Sequence, residues 1–233
     1  MHSRPRSLVA LPFVAAAFSP AALAGNNVYM YGLGPRVGTV VIPGGYPANF
    51  PTFSEESAHG ETEKIKIDEA TTIEKVRGDV ILGLEGLYWA NDVNRLGATG
   101  GFGLGSGYHD AHLILKYDRM ANLDAIDLFV GGGLGVGVAT WAGEQDERLR
   151  VPYYPFRGEA GALFRQKTFG IQALLFLNLN IPGRQTLTLA DESTYESGFG
   201  WAFYPQIGAE LQVLFGDFTK PGKNKGKKKK KGR

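Results

Sequence analysis

The feature that most constrains this chain is a period-two alternation of apolar residues that recurs along most of its length. Side chains of a β-strand point alternately to opposite faces, so each alternating segment predicts a strand with one apolar face. The alternation is clearest over residues 80–88, 111–117, 128–138, 158–164, 171–181 and 203–215. The sequence therefore predicts an all-β fold.

The opposite parity of the same segments carries glycine, amide and charged residues, such as Gly131 to Gly137, Gln172 and Gln212. Only a closed sheet pairs every backbone polar group in hydrocarbon, with its apolar parity facing lipid and its polar parity facing the lumen. A secreted lipocalin-type barrel shows the same alternation with the faces exchanged. The polar parity holds fewer Lys and Glu than a water-facing surface favours, so the composition favours a closed antiparallel transmembrane up-and-down barrel.

Further strands at residues 28–41 and 96–105 bring the predicted number to eight, although ten strands remain an alternative. The first, fifth and seventh connections are predicted as long loops over residues 42–77, 142–156 and 182–198, and the third as a tight turn near 106–109. The other connections are short. Long surface loops on one side and short periplasmic turns on the other are typical of outer-membrane barrels, and they place both chain ends on the periplasmic side.

The first 24 residues predict a cleaved secretory signal peptide. Arg4 and Arg6 precede an apolar stretch over residues 8–18, and Ala22-Leu23-Ala24 forms a cleavage pattern before Gly25. The expected organisation is a signal peptide over 1–24, a barrel over 25–218 and a tail over 219–233, in the outer membrane of a Gram-negative bacterium. Because the chain has no cysteine, its stability does not depend on disulfides.

The near-neutral net charge conceals an acidic body and a basic tail. Of the 25 basic residues, nine lie in the tail and two in the first 24 residues, which leaves 14 against 23 acidic residues. The tail residues are Lys220, Lys223, Lys225, Lys227, Lys228, Lys229, Lys230, Lys231 and Arg233. Such a like-charged run predicts a disordered periplasmic tether for anionic lipid, peptidoglycan or an acidic periplasmic protein, with mere solvation as the alternative. An exported protein does not meet nucleic acid.

Aromatic residues cluster near the predicted strand ends, as expected at the two water interfaces of a membrane barrel. In these patterns the chain resembles the small eight-stranded outer-membrane barrels of the OmpA/OmpX kind. The resemblance implies recognition of the last strand by the barrel assembly machinery, through Val213, Phe215 and Phe218, and contact with outer-membrane lipids and lipopolysaccharide. The chain departs from that family by continuing for 15 residues after Phe218.

The candidate functional residues are charges predicted to face the lumen. They are Glu85, Lys116, Arg157, Glu159, Arg165 and Glu210. An eight-stranded barrel is only just wide enough for side chains, so these charges predict a packed ion-pair network, with a narrow polar pore as the alternative.

No catalytic, cofactor or metal site is predicted. The glycine-rich stretches 100–107 and 131–137 match no nucleotide-binding pattern, and His109 and His112 lie three apart on a strand, on opposite faces. No Ser-His pair shares a strand face. Seven acids in the first long loop could bind divalent cations that bridge lipopolysaccharide phosphates, although a solvated acidic loop is the simpler interpretation.

The predicted function is that of a non-enzymatic barrel that anchors or stabilises the cell envelope. Acidic loops would lie outside the cell and a polybasic tether in the periplasm. Three alternatives remain open: a narrow pore for small solutes, an outer-membrane component of an envelope-spanning secretion or motility complex, and a lipid-modifying barrel enzyme.

Overall fold

The computed structural model describes residues 30–46, 53–56, 62–65, 71–74, 76–91, 93–123, 126–197 and 203–218. These residues form twelve strands: β1 Tyr31–Tyr46, β2 Phe53–Glu56, β3 Thr62–Ile65, β4 Val76–Trp89, β5 Asn94–Gly105, β6 Tyr108–Leu123, β7 Ile126–Ala142, β8 Arg148–Arg165, β9 Phe169–Pro182, β10 Thr186–Thr188, β11 Thr194–Glu196 and β12 Tyr204–Asp217. No helix in this part of the chain is long and apolar enough to cross a membrane.

Eight of these strands close into an antiparallel barrel in the order β1, β4, β5, β6, β7, β8, β9 and β12. β12 pairs with β1, and β8 pairs with β9, so the sheet joins itself. A path of cross-strand partners that starts at Arg150 crosses all eight strands and returns to β8 at Ala160, ten residues further along. For eight strands this stagger corresponds to a tilt of about 40°. The eight-stranded closed barrel predicted from the sequence is confirmed.

The two faces of the barrel have opposite chemistry. Outward side chains are apolar and exposed, for example Leu115 at 61% and Leu175 at 68%. Inward side chains include buried polar groups, such as Gln172 and Gln212 at 0%. This arrangement is the reverse of a lipocalin, whose apolar face is the inner one, so the lipocalin alternative is wrong.

The outward apolar side chains form a belt around the barrel. On β8 it runs from Tyr154 to Phe164, eleven residues whose ends lie about 25 Å apart along the barrel axis at the strand tilt given above, as in membrane-spanning barrels. Aromatic rings lie at both margins. Three rings expected at the margins are inside the barrel instead: Trp89 and Trp141 are each 1% exposed, and Phe218 is 4% exposed.

The two ends of the barrel differ in their connections. One end, called here the short-turn end, carries the connections at 90–93, 124–125 and 166–168, together with Met30 and Phe218. The other, the long-loop end, carries the connection between β1 and β4, with the β2–β3 hairpin, and the connection between β9 and β12, with the β10–β11 hairpin.

The predicted loop over residues 142–156 is wrong. β7 and β8 continue as paired strands to Ala142 and Arg148, and the connection between them is only residues 143–147. In this extension the inward residues Leu149 and Val151 are fully buried, whereas Arg148 and Arg150 point outward and are exposed. Beyond the membrane belt the outer face meets water, so the apolar parity moves to the inside.

The first strand also extends further than predicted, to Tyr46 instead of residue 41. The predicted signal peptide over 1–24 and the basic tail over 219–233 lie outside the described residues, and so do Phe199 and Trp201, two of the aromatic residues near the predicted strand ends.

Candidate functional site

The candidate site is the charged interior of the barrel. The structure places five of the six predicted charges there in one network, each no more than 4% exposed: Glu85, Lys116, Arg157, Glu159 and Glu210. Lys116 Nζ lies 2.7 Å from Glu85 Oε1 and also contacts Glu159. Arg157 donates from Nε to Glu159 at 2.6 Å and lies 3.0 Å from Glu210. The sixth, Arg165, pairs with Asp127 outside this network.

Arg36 joins the network from β1 and was missed by the sequence analysis. Its guanidinium donates to Glu210 Oε1 at 2.7 Å, and both side chains are completely buried. The centre of the lumen thus contains three cations and three carboxylates, so it is charge-balanced. A buried charge is costly unless it is paired and hydrogen-bonded, and the balance satisfies this requirement.

The network continues toward the short-turn end through amides. Gln212 donates to Glu85, and Gln172 donates to Gln212 at 2.6 Å. Arg95 then donates to Gln172 at 2.6 Å and to Asp118 at 2.6 and 2.8 Å. The Arg95 guanidinium also lies 4.2 Å above the Phe129 ring, in a cation–π contact that covers one flat face of the guanidinium.

Toward the long-loop end the network passes through His112. Arg36 Nη2 contacts His112 Nε2 at 2.5 Å, and His112 Nδ1 contacts Asp110 Oδ1 at 2.7 Å. Asp110 also accepts hydrogen bonds from the hydroxyls of Tyr108 and Tyr153. One connected set of polar contacts therefore links the two ends of the lumen.

Inward glycines create the room for these large side chains. A Cβ at Gly101 would lie 2.4 Å from the Arg36 guanidinium, and one at Gly137 would lie 2.3 Å from the Tyr153 ring. Such distances are well inside van der Waals contact, so a larger residue would displace a buried group. Glycine on the inner face therefore leaves space for bulky lumenal side chains at these positions.

Two apolar clusters lie in the interior along with the polar network. The first includes Tyr108, Trp141, Leu149, Tyr153 and Leu187 on the long-loop side. The second includes Trp89, Met120, Phe129, Leu214 and Phe218, and it extends to the short-turn end. Together they pack the lumen at both ends with bulky apolar groups.

The two histidines in the described part of the chain, His109 and His112, lie on opposite faces of β6. His109 is exposed on the outer face, whereas His112 is lumenal, as the alternation predicts. The Asp110–His112 pair has the geometry of a general base with its orienting acid, but His112 Nε2 faces Arg36 instead of a nucleophilic hydroxyl. Within the described residues, no three His, Asp or Glu side chains are grouped to hold a metal.

Outside the lumen, Glu147 fastens the 71–74 segment to the turn between β7 and β8. It accepts hydrogen bonds from Thr72 N at 3.0 Å, Thr72 Oγ1 at 2.9 Å and Gln145 N at 2.9 Å. Desolvation tends to raise the pKa of Glu147, but these hydrogen bonds outweigh it and hold the pKa below its ordinary value. The carboxylate therefore stays ionised and keeps the segment docked at neutral pH.

The three residues of the predicted assembly signal lie in different environments. Phe215 points outward and is 60% exposed, and Val213, two residues earlier, shares its parity. Phe218 is buried at the short-turn end, where its ring meets Trp89 edge-on at 5.6 Å.

No protein-family model matches this sequence, and no curated protein matches it. Among solved structures, the chain is similar to Neisserial surface protein A (NspA), with a TM-score of 0.48 and 7% identity over 79% of this chain and 96% of that one. It is also similar to Ail, the attachment invasion locus protein of Yersinia pestis, with a TM-score of 0.41 and 10% identity over 82% of this chain and 97% of that one.

Proposed function

We propose that this protein is a closed, non-conducting barrel of the outer membrane that acts as a structural anchor of the envelope and not as a pore or an enzyme. The location is supported by the uncharged outward belt, whose height of about 25 Å matches the hydrocarbon region spanned by such barrels. The non-conducting role is supported by a single observation, the lumen filled with balanced ion pairs and bulky apolar side chains.

Conductance distinguishes this anchor from the narrow-pore alternative. The purified protein should remain heat-modifiable in detergent, because a closed barrel has no free edge from which to unravel, and should insert into planar bilayers without raising the current above baseline. Heat-modifiability, measured on the same preparation, shows that a silent bilayer is not due to unfolded protein. Reproducible, ion-selective current steps from the folded protein would contradict the proposal.

The enzyme alternative lacks support from the lumen, because the imidazole of the Asp110–His112 pair contacts Arg36. Lipid A from cells with and without the gene should have the same mass spectrum. A gene-dependent loss or gain of an acyl chain would favour the lipid-modifying enzyme.

The second part of the proposal is that residues 220–233 tether the barrel to an anionic periplasmic partner. Phe218, the last described residue, lies at the short-turn end, so the nine tail charges follow from the same end as Met30. Each basic residue near an anionic surface contributes up to about 1 kcal/mol, and the attraction decays over about 8 Å at physiological salt.

Deletion of residues 220–233 should leave the barrel inserted in the membrane. It should abolish the salt-sensitive co-sedimentation of the nanodisc-embedded protein with peptidoglycan or anionic vesicles. Replacement of the eight tail lysines by arginine should preserve the association, and replacement by glutamine should not, because a diffuse electrostatic contact depends on charge and not on donor geometry. Unchanged binding by the truncated protein at low salt would mean that the tail is merely solvated.

A further inference from the structure

At the long-loop end, the outer wall of the barrel carries a basic patch that no other part of the described wall repeats. Arg148 and Arg150 are exposed on the outer face of β8, at positions two apart and therefore about 7 Å from each other. Neither guanidinium has an ion-pair or hydrogen-bond partner among the described residues. Their direction is set from inside, because the intervening Leu149 is fully buried in the apolar cluster.

The neighbouring strands surround the two guanidiniums with hydroxyls. Arg150 is paired across β7 with Thr140 and across β10 with Thr186, and Arg148 is paired across β10 with Thr188. Directly paired residues share a face, with Cβ atoms about 5 Å apart. His109 lies one strand further along the same row, next to Thr140. The patch, defined here as Arg148, Arg150, Thr140, Thr186 and Thr188, is thus rich in donors.

No acidic side chain among the described residues forms an ion pair with Arg148 or Arg150. Glu196 on β11 is the cross-strand partner of Thr186 and shares the face of the patch, but its carboxylate pairs with Arg184 at 3.5 Å. Glu144 and Asp146 belong to the turn beyond Arg148, on the side away from the belt. Two guanidiniums that have no ion-pair partner in the described part of the chain and lie among hydroxyl groups are suited to phosphate, which guanidinium binds through two parallel hydrogen bonds.

The height of the patch identifies the source of that phosphate. Arg150 lies four residues beyond Tyr154, the aromatic margin of the belt, which is about 10 Å along the barrel axis. An arginine side chain extends far enough to return to the headgroup layer while its stem stays near apolar surface. A soluble phosphate compound would not require this position, whereas a membrane-bound phosphate would.

We propose that the patch binds the phosphate groups of a phosphorylated glycolipid of the lipid A class in the outer leaflet. This inference rests on the outer-membrane location proposed above. It assigns a lipid ligand to one side of the barrel, so the surrounding lipid would be ordered there and not around the whole circumference.

The test uses the full-length protein in phosphatidylcholine nanodiscs that contain diphosphorylated lipid A, with retained lipid measured by native mass spectrometry. The double variant R148Q/R150Q should hold lipid A roughly tenfold or more weakly, as expected for the loss of two charges near a membrane surface. The variant R119Q/K167Q removes the same charge from exposed residues at the short-turn end and should bind like the original protein. Lipid A without phosphates should bind the original protein as weakly as the double variant binds the phosphorylated form.

Equal retention of phosphorylated lipid A by the original protein and R148Q/R150Q would overturn the inference, and so would equal retention of the phosphate-free form. A comparable loss in R119Q/K167Q would also overturn it, because the effect would then come from net charge. Failure of the original protein to enter nanodiscs in a heat-modifiable form would instead contradict the proposed membrane location.

Discussion

Replacement of Lys116 by Met is expected to lower the free energy of unfolding by about 3–5 kcal/mol, the usual cost of leaving a buried charge without its partner. Lys116 is 4% exposed and contacts both Glu85 and Glu159. Methionine has a similar length and keeps most of the packing, so the loss would arise from the two carboxylates. Urea titration of the protein in lipid vesicles, followed by tryptophan fluorescence, measures the change.

The double variant K116M/E85Q is the matched control. It restores an equal number of buried cations and carboxylates, and the glutamine oxygen can still accept the hydrogen bond from Gln212. Its stability should recover most of the loss, which would appear as a favourable coupling energy in a double-mutant cycle. A double variant as unstable as the sum of the two single variants would show that the network is not balanced as a unit.

Replacement of Leu175 by Lys is expected to destabilise the barrel in bilayers by about 2–4 kcal/mol, the cost of a lysine at the membrane midplane on a lipid-facing strand. Leu175 lies at the centre of β9, midway between Phe169 and Ile181, and is 68% exposed on the outer face. The same reversible unfolding measurement in vesicles gives the difference.

Two controls separate the charge from the lost leucine. Leu175→Ala removes the same apolar contact without adding charge, and Ala142→Lys adds the charge at an exposed position beyond the belt. Ala142→Lys should cost less than about 1 kcal/mol, because the penalty falls toward the interface. Equal costs for lysine at both positions would mean that hydrocarbon does not surround the belt.

The outward face of β9 shows what the sequence predicted reliably. Exposed and buried positions alternate without interruption from Phe169 to Asn180. The exposed parity is entirely apolar, and the buried parity holds Gln172 and Asn178 together with Leu174 and Phe176. Lipid contacts one face of every barrel strand at this depth, so the same solvent selects the same parity in each strand. This uniform environment is the reason that a single pattern predicted six of the eight barrel strands.

The segment 148–155 shows where that reasoning failed. It alternates as regularly as β9, but its apolar residues Leu149, Val151 and Tyr153 point inward. The parity changes where β8 leaves the membrane belt and water replaces lipid outside it. Because the strand prediction followed the apolar residues of one face only, it ended β8 too early and assigned residues 148–155 to a loop. The outward positions of Arg148 and Arg150 were therefore not predicted.

The ion-pair partners of the lumenal charges also could not be predicted from the sequence. The sequence indicated that Lys116 and Glu210 share an interior, but not that Arg36, 174 residues from Glu210, donates to it. The pairing depends on the stagger of ten residues around the barrel and on glycines at positions such as 101 that admit the guanidinium. Both the stagger and the placement of these glycines opposite Arg36 depend on residues that are far apart in the chain.

The sequence by itself determined the all-β class and the chemistry of each strand face, because a strand's alternation records the medium on its two sides. It favoured eight barrel strands over ten, and the pairing of the strands established the number. Only the tertiary structure decided which charges meet in the lumen and that β10 pairs with the end of β8 beside Arg148 and Arg150. The physical reason is that period two specifies a side chain's face but not its neighbour across the sheet. That neighbour is set by hydrogen bonds between segments far apart in the chain, together with closure of the barrel.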